Sequence, residues 1–492
     1  MPVKERKVSS LVNIRTSLEL GIYNSTVNEG LAGLLERVYY VADGDGGWRC
    51  PPQPEGGFYQ KLFADIRKEQ SLYLYPVVQL SVDEFLCRYK GAKRSTYERA
   101  AKEYEVFGLD AKKHTFVGAF VKDERQQFGK APRLIRPFHP VFNLAFGTYV
   151  YPLEKCLYSA IDDLYGCPTV TKGLNGSEVA NAIYHKWTSF GNPVCIVTDM
   201  SRFDQHCSID SMRLVRDLCI HSLQKSGADV ETFVQLWTMT EITRGMVLCD
   251  DGVVTYKARG GLNSGLSSTS LCGVTIVCLL LRSYCMIVGV KHQLISAGDD
   301  TNIIIEKSDL HKMDGLSSYC LRGGYTVKID GVAEEMECID FCQSRPIWDG
   351  SCWTMVRDPR TVVGKDLLTS KVFRKPLEMA AYARAISDCG ISLCGGIPIM
   401  QAYYCMLRRS SGNVPACTLE RNGFYFLSRN MHRGVGSVTN EARISFYKAF
   451  GIDVWRQEAI EEYFNSLVVD WSGCESSYRF SNDITHAFEK QN

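Results

Sequence analysis

The sequence Ser-Ala-Gly-Asp-Asp at residues 296–300 is the stretch from which the fold of this chain can be predicted. His-Gln-Leu-Ile precedes it at residues 292–295, and Thr-Asn-Ile-Ile-Ile-Glu follows it at residues 301–306. Both flanks are rich in β-branched and apolar residues, which is typical of short buried strands, and Gly298 favours a tight turn between them. The pattern therefore predicts a hairpin with two adjacent aspartates at its tip. These carboxylates either form an ordinary acidic turn that faces solvent or hold a divalent cation.

A second predicted strand, Val194–Asp199, also ends in an acidic residue. Its continuous apolar run is typical of a fully buried strand, and Asp204 follows five residues later, before a predicted amphipathic helix. If this strand and the hairpin are neighbours in one sheet, the carboxylates of Asp199, Asp299 and Asp300 converge. Such a cluster fits two Mg²⁺ ions about 3.5–4 Å apart, an arrangement that serves in-line displacement at phosphorus.

Composition limits the class of protein. The chain has 492 residues, of which 45% are hydrophobic and 23% charged, so a largely disordered chain is excluded. The length suits two or three domains or one large articulated domain. The formal net charge is only +1, so any surface that binds nucleic acid must be local. The 20 cysteines are scattered without zinc-type spacing, which predicts free thiols in a reducing compartment.

Neither a secretory signal nor a transmembrane segment is predicted. Met1–Lys7 is charged, but no apolar segment follows it. The most apolar run, Leu271–Val290, is interrupted by Arg282 and Tyr284, so we interpret it as a buried helix.

A basic segment at residues 122–136 is the strongest candidate for binding phosphate groups. It contains five cationic residues together with glycine and proline, so it does not have the pattern of an amphipathic helix. An extended basic strand and loop is suited to holding phosphates. Its cations are Lys122, Arg125, Lys130, Arg133 and Arg136. The basic residues upstream, between Arg88 and Lys102, fit a solvated helix face equally well.

Several further elements are predicted from periodicity and turn residues. The glycine-rich turn at residues 260–265 leads into a long core helix over residues 266–290, with Ser264 in the loop and Thr269 one turn into the helix. Ser264 also fits a helix N-cap. A domain boundary is expected near residue 360. The other predicted elements are helices at 27–41, 82–104, 310–322, 366–387, 396–410 and 439–468, a strand at 325–329, and a hairpin formed by 337–346 and 353–357.

Taken in order, three of these patterns resemble the palm of viral RNA-dependent RNA polymerases. They are Asp199-x4-Asp204, Ser264-Gly265-x3-Thr269 and Gly298-Asp299-Asp300. The sequence is most similar to tombusvirus-like replicases of positive-strand RNA viruses, across roughly residues 20–410. The matching segments outside the palm pattern are Leu34–Val41, Ala131–Pro137, Glu337–Gln343 and Leu393–Gln401, and Asp199–His206 matches the first palm motif almost letter for letter.

The resemblance implies an α+β fold of the right-hand polymerase type, with an antiparallel palm sheet packed on helices. It implies the following division: residues 1–193 as an N-terminal extension and fingers, 194–229 as the first part of the palm, 230–258 as a fingers insertion, 259–360 as the second part of the palm, and 361–492 as the thumb.

The resemblance also implies a role for each matching residue. Asp199 and Asp299 would be the principal ligands of Mg²⁺, for which Mn²⁺ is an expected substitute, with Asp300 assisting. Asp204 would sense the ribose 2′-hydroxyl of the incoming nucleotide. Lys328 matches the position of a general acid for pyrophosphate in some polymerases, although an exposed strand lysine is the simpler interpretation. The remaining residues implied at the nucleotide site are Ser264 and Thr269 near the ribose, and Lys122, Lys130, Arg133 and Arg136 at the triphosphate.

The sequence departs from the family pattern at two positions. The family usually has Asn where this chain has Gly273, so ribose selection is expected to rest on Asp204, Ser264 or another residue. The family also tends to have a second Arg where this chain has Phe138, a role that Arg136 is expected to take. Neither departure affects the expected metal ligands.

The leading hypothesis is an enzyme that copies RNA from RNA. Its expected partners are an RNA template and product, NTPs, other viral replicase proteins, and host membranes reached through a partner, but not DNA. The expected location is the host cell cytoplasm, at membrane-associated replication sites. Two alternatives stay open: a reverse-transcriptase-like polymerase, which commonly has an aromatic gate at the position of Asp204, and a non-catalytic RNA-binding replicase subunit.

Overall fold

The computed structural model describes residues 3–11, 20–69, 72–127, 129–419 and 423–471. Its strands are β1 (Ser9–Ser10), β2 (Leu20–Gly21), β3 (Val41–Ala42), β4 (Trp48–Arg49), β5 (Phe116–Val121), β6 (Gln126–Gln127), β7 (Leu134–Ile135), β8 (Pro193–Met200), β9 (Ile242–Cys249), β10 (Gly252–Arg259), β11 (His292–Ser296), β12 (Asp300–Glu306), β13 (Val327–Ala333), β14 (Ser344–Trp348), β15 (Trp353–Arg357) and β16 (Leu368–Thr369).

The described α-helices are α1 (Val27–Leu34), α2 (Phe58–Glu69), α3 (Val82–Cys87), α4 (Gly91–Phe107), α5 (Ala111–His114), α6 (Pro140–Tyr165), α7 (Gly176–Trp187), α8 (Phe203–His206), α9 (Ile209–Ser226), α10 (Val230–Thr238), α11 (Thr269–Ile287), α12 (Leu316–Arg322), α13 (Pro359–Lys365), α14 (Pro376–Cys394), α15 (Met400–Ser410), α16 (Gly423–Ser428), α17 (Asn440–Phe450) and α18 (Val454–Ser466). A π-helical turn at Leu35–Tyr39 ends the first predicted helix, and a 3₁₀ segment at Lys307–Met313 precedes α12.

The acidic hairpin lies in an entirely antiparallel four-stranded sheet of order β11-β12-β8-β13. Both strand predictions around Gly298 are confirmed, and so is the buried strand that carries Asp199. The sheet is covered on both sides, because Ile196 and Ile303 pack into the largest core cluster whereas Cys195 packs into a smaller one on the opposite face. The combination of helices with an antiparallel sheet agrees with the predicted α+β fold class.

A second four-stranded sheet has the order β10-β9-β5-β7, in which β5 and β9 run parallel. β5 ends directly before the basic segment, and β6 and β7 lie within it, so the prediction of an extended conformation there is confirmed. Helix α1 packs on one face of this sheet, where Gly30 of the helix lies against Val247 of β9.

Helix α11 forms the centre of the largest core. It is the one helix among the described residues whose length and hydropathy would be enough to cross a membrane, and 72% of its most apolar window is buried inside the protein. The predicted start at residue 266 was early, because α11 begins at Thr269 and Ser268 occupies its N-cap position. Thr269 is therefore the first helical residue, and Ser264 lies in the preceding loop.

The C-terminal part of the described chain has its own core, formed by residues between Ile347 and Trp471 together with Leu11. The helix predicted at 366–387 was wrong at its start. The chain first forms β16 against β1, and the helix begins only at Pro376, a favourable first-turn residue. The helix predicted at 439–468 is two helices, separated at Gly451 with φ of +65°.

Two smaller predictions also need correction. The hairpin predicted at 337–346 and 353–357 is present, but its first strand begins at Ser344. The 19 described cysteines are all free thiols, as predicted, whereas Cys474 lies outside the described residues together with the end of the expected thumb at 472–492.

Candidate active site

The acidic residues of β8 and β12 meet because the two strands are adjacent. Asp199 and Asp300 are direct cross-strand partners in the antiparallel register, and Asp299 lies in the turn that precedes β12. Directly opposed residues of an antiparallel pair have Cβ atoms about 4.5–5.5 Å apart. The predicted convergence of the three aspartates is therefore present in the fold.

A buried hydroxyl network fixes the turn that carries Asp299. The Thr301 hydroxyl donates to Ser296 Oγ at 2.7 Å and lies 2.9 Å from the Gly298 carbonyl oxygen, and the Gly298 amide donates to Ser296 Oγ at 3.3 Å. Gly298 has φ of +108°, which strongly favours glycine. Ser296 and Thr301 are fully buried and were not predicted as site residues, because hydroxyls flanking a turn are common.

Two adjoining cavities open onto these carboxylates. The larger has a volume of about 940 Å³, and its lining includes Asp199, Asp204, Asp299, Ser264, Lys130, Arg133 and Arg136. The smaller, of about 410 Å³, shares Asp204, Ser264 and Asp299 and adds Thr269 and Gly273. Eight of the eleven predicted site residues thus line a cavity wall. A ninth, Asp300, lies directly opposite Asp199, which lines the larger cavity. Within the described chain, Lys122 and Lys328 are not among the residues that line either cavity.

The carboxylates lie in an environment that disfavours uncompensated negative charge. Burial raises the pKa of Asp199, and the carboxylates of Asp330 and Asp299 raise it further. Burial likewise raises the pKa of Asp300, with further contributions from Asp299 and other acids. A divalent cation would relieve this repulsion, and an all-carboxylate set of oxygens is what Mg²⁺ prefers. The residues present therefore fit the expected metal.

Asp204 is exposed to the solvent of the cavity but is surrounded by protein atoms. Burial raises its pKa to about 6, even though Arg136 and Arg133 lower it by their positive charge. The carboxylate is therefore largely ionised at neutral pH and close to titration just below it. This placement in both cavities, beside Ser264, makes Asp204 available to a ligand.

The basic segment is attached to the loop before α11 through Arg136 and Ser264. The Arg136 amide donates to Ser264 Oγ at 3.2 Å, and that hydroxyl donates to the Leu134 carbonyl at 3.3 Å. The Arg136 side chain is 5% exposed and donates through Nη2 to the Leu262 carbonyl, whereas Nη1 has no hydrogen-bond partner among the described residues. Burial lowers the pKa of Arg136. Nη1 is therefore a buried donor without a partner in the described part of the chain.

The other cations of the segment are held differently. Lys122 and Arg133 both approach Glu124, at 2.5 Å and 3.5 Å. Lys122 is therefore paired with Glu124 and lies outside the cavity lining. Lys130 lines the larger cavity, and its charge lowers the pKa of Asp199.

Lys328 is the cross-strand partner of Asp199 on its other side, in β13. Its side chain is 69% exposed and pairs with Asp330 at 2.5 Å. This pairing raises the pKa of Lys328, so the ammonium stays protonated.

The two departures from the family pattern have different structural consequences. A Cβ at Gly273 would lie 3.6 Å from the Phe203 ring and 4.0 Å from Gly298 Cα, so the position faces the acidic turn and has ordinary room for a side chain. Phe138 is 2% exposed and packs against Phe142, so it belongs to the core.

Some residues of the site had no clear signal in the sequence. Gln343 lines the larger cavity and, like its neighbour Cys342, has a positive φ. The Cys342 thiol hydrogen-bonds Asp300 and lowers its pKa. Glu154 and Lys172 form an ion pair in the wall of the smaller cavity. Positive φ values and long-range ion pairs of this kind depend on tertiary packing, so single-sequence patterns do not predict them.

A separate cluster of potential metal ligands lies far from these carboxylates in the sequence. Glu103, His114 and His139 have ligand atoms within 4.8 Å of one another. The Nδ1 atoms of both histidines accept backbone N–H groups, from Asp110 and Val141, which places the ring hydrogens on Nε2. A metal-binding histidine usually donates from its second nitrogen, so this cluster is better explained as a packing contact in which His114 hydrogen-bonds Glu103 of α4 and stacks on His139 at the start of α6.

The chain belongs to the viral RNA-dependent RNA polymerase family, whose sequence profile matches residues 1–472. The RNA-directed RNA polymerase of Turnip crinkle virus is 32% identical to it over 476 residues, which cover 95% of this chain and 60% of that protein. The corresponding proteins of Groundnut rosette virus (strain MC1) and Tobacco necrosis virus (strain A) are 33% and 31% identical, over 95% and 94% of this chain and 54% and 64% of their own lengths. The chain thus spans between 54% and 64% of these relatives. The predicted family resemblance is confirmed.

Proposed function

We propose that this chain copies an RNA template by joining nucleotides from NTPs to the 3′ end of a growing RNA. The observation that carries the proposal is the strand register that sets Asp199 opposite Asp300, with Asp299 in the adjoining turn at the wall of a large cavity. The family to which the chain belongs supports the same activity.

Asp199 and Asp299 would hold Mg²⁺ in this cavity, and Asp300 would assist from the facing strand. When bound, two Mg²⁺ ions supply the charge that lowers the pKa of the attacking 3′-hydroxyl and stabilises the leaving pyrophosphate. Mn²⁺, which also prefers oxygen ligands, is expected to substitute.

The triphosphate would lie against Lys130, Arg133 and Arg136, which line the same cavity as the acidic cluster. The unpartnered Nη1 of Arg136 is buried, so Arg136 would attract a phosphate by its positive charge from the cavity wall. Lys122 would act indirectly, by holding Glu124. Lys328 is the candidate general acid for pyrophosphate, since its ammonium remains protonated.

Asp204 would recognise the ribose, because its carboxylate can accept a hydrogen bond from the 2′-hydroxyl. Ser264 is engaged by the basic segment, so its role would be to position Arg136. The Thr269 hydroxyl donates to the Asn263 carbonyl at 2.6 Å and would fix the same loop. Ribose selection without the usual Asn at Gly273 would then depend mainly on Asp204.

A right-hand arrangement follows from this assignment. The sheet of β11, β12, β8 and β13 would be the palm, within residues 194–229 and 259–360. Residues 1–193 and 230–258 would form the extension and fingers, and residues 361–492 the thumb. The separate C-terminal core supports a distinct unit there.

The proposed partners are the RNA template and product, NTPs and other viral replicase proteins, with DNA excluded as a template. The proposed place of action is the host cell cytoplasm, at membrane-associated replication sites that the chain would reach through a partner.

Incorporation of labelled nucleotides on an RNA template with Mg²⁺ tests the proposal. We expect ribonucleotides to be incorporated, deoxynucleotides to be poor substrates, and Asp299→Asn to abolish incorporation while RNA binding persists. The exposed Asp314→Asn is the matched control and should retain both properties. Equal or better use of deoxynucleotides would favour the reverse-transcriptase-like alternative. RNA binding without incorporation by the unaltered chain would favour a non-catalytic replicase subunit.

A further inference from the structure

The sheet of β10, β9, β5 and β7 is covered on one face only. Along β5 and β9, buried and more exposed residues alternate, and the buried ones, such as Val117 and Val247, belong to the main core. The opposite face, here called the open face, consists of the outward side chains of these four strands. It is a sheet surface that no described segment covers.

Two phenylalanines project from the open face. Phe116 and Phe120 are 40% and 42% exposed and lie four residues apart on β5, or about 13 Å along the strand. Between them Gly118 leaves a position without a side chain, where a Cβ would meet only Leu248 Cδ1, at 3.9 Å. Exposed aromatic rings on a sheet are suited to stacking with unpaired nucleobases.

Three exposed cations lie on the same face. In the strand register Arg244 is beside Phe116, Lys257 is beside Arg244, and Arg259 is the next outward residue along β10. Among the described residues, none of the three forms a salt bridge. The strand segments contribute no acidic side chain to this face, so its charge is complementary to a phosphate backbone.

The acidic residues that flank these strands are engaged elsewhere. Glu241, directly before β9, forms a salt bridge at 2.7 Å with an arginine of α9, and Asp250 and Asp251 lie at the β9–β10 turn. Asp250 accepts the Lys4 amide at 3.0 Å, and Asp251 accepts the Val27 amide at 2.8 Å. They therefore help to anchor the N-terminal segment and do not neutralise the cations at the other end of the sheet.

The open face is continuous with the candidate active site. Ile135 of β7 pairs with Phe120 across the strands, and Ile135 lines the 940 Å³ cavity. At the opposite edge, Arg259 lines a third cavity of about 440 Å³, whose wall includes Arg136. A strand lying on the open face would thus reach the residues assigned to nucleotide binding.

We propose that the open face is a docking platform for single-stranded RNA, which stacks unpaired bases on Phe116 and Phe120 and places phosphates against Arg244, Lys257 and Arg259. The platform delivers template to the cavity, and in this respect the inference rests on the proposed function. The platform recognises unpaired bases and the charge of the RNA backbone, and its affinity does not depend on the RNA sequence.

Binding of a short, unstructured, fluorescently labelled RNA, measured by anisotropy without NTPs, tests the platform directly. The double variant Phe116→Leu with Phe120→Leu keeps the apolar volume but removes stacking, and we expect roughly fivefold weaker binding or more. The triple variant Arg244→Gln, Lys257→Gln and Arg259→Gln should reduce the slope of log affinity against log salt by about 2.

Matched controls come from cations and an aromatic ring elsewhere on the surface. Phe107→Leu removes a ring that is 79% exposed at the end of α4, and it should leave RNA affinity unchanged. The triple variant Lys61→Gln, Lys68→Gln and Lys102→Gln removes three exposed cations and should leave the salt slope nearly unchanged. Thermal unfolding of every variant checks that the leucine substitutions preserve the fold.

Nucleotide incorporation separates this inference from the proposed function. If both are correct, the open-face variants raise the KM for template and leave kcat at saturating template unchanged. Unchanged RNA affinity in both variants would overturn the platform, even if the chain polymerises RNA. Weakened binding in a chain that incorporates no nucleotide would support the platform and reject the polymerase. Equal losses for duplex and single-stranded RNA would overturn the stacking role, and a change of oligomeric state with unchanged RNA affinity would identify a protein interface.

Discussion

Replacing Asp204 with asparagine is expected to stabilise the protein. Burial raises the pKa of this carboxyl from its ordinary value of 3.8 to about 6, so the folded state carries an ionised group that it disfavours. Converted in full, a difference of about 2.2 pKa units would correspond to about 3 kcal/mol, but the Asp204 side chain is exposed to solvent, which screens its charge, so we expect a penalty of about 1 kcal/mol. This penalty is absent well below pH 4, grows as pH rises between the two pKa values, and is complete above about pH 6. Asp204→Asn removes it at no cost in volume.

The pH dependence of the gain in unfolding free energy distinguishes this prediction from a general stabilising effect of the substitution. At about pH 7.5 the variant should be more stable by about 1 kcal/mol, and at about pH 5 the gain in stability should fall to roughly half of that. Urea unfolding in the presence of a chelator measures both values without a bound cation. The exposed control Asp314→Asn should change stability by less than about 0.5 kcal/mol at either pH.

A less stable Asp204→Asn variant would refute this reasoning, because it would mean that attraction to Arg136 outweighs the cost of burial. An equal gain at both pH values would also contradict it, since a titrating carboxylate could not be the cause. The same variant should lose preference for ribonucleotides over deoxynucleotides, so stability and selectivity are expected to change in opposite directions.

Three further outcomes are expected. Asp366→Asn removes the negative charge and one of the two oxygens that accept from the partly buried Arg357 guanidinium at 2.8 Å, and should cost about 3 kcal/mol in urea unfolding, whereas the exposed-pair variant Asp388→Asn should cost less than about 1 kcal/mol; similar losses would contradict the importance of burial. Gly298→Ala forces a side chain into φ of +108° and should cost roughly 1–3 kcal/mol and reduce incorporation, and wild-type behaviour in both assays would reject the strain argument. Gly273→Asn should fold with a stability change within about 1 kcal/mol and increase discrimination against deoxynucleotides, and a loss of ribonucleotide incorporation would show that the cavity lacks the room described.

The geometry of the candidate active site was largely predictable because its determinants are local. A glycine between two β-branched runs predicts a hairpin whatever surrounds it, and the apolar run ending at Asp199 predicts a buried strand. The register between Asp199 and Asp300 was not predictable from these runs alone. Both faces of the sheet are covered, so the strands lack the apolar–polar alternation that would fix their alignment.

The errors arose where distant contacts override local preference. Residues from 366 onward have helical periodicity, but the Asp366 side chain is committed to Arg357 and Tyr404, and the following residues form a strand with the N-terminal segment. Lys122 stays a predicted nucleotide-site residue, and its pairing with the nearby Glu124 was not predicted. Which cation of a basic segment finds a carboxylate depends on strand twist and loop closure, which the sequence pattern does not contain.

The pairing of β8 with β12 has a consequence for how such a protein can change over time. Successive residues of a strand point to opposite sides, so a shift of β12 by one residue would turn Asp300 away from Asp199 and into the main core. Exchanging Ile303 for valine costs only about 0.5–1.5 kcal/mol. Inserting or deleting one codon in either strand would instead disassemble the acidic cluster. We therefore expect viral variants to differ freely in the side chains that fill these strands, and to keep the number of residues in each.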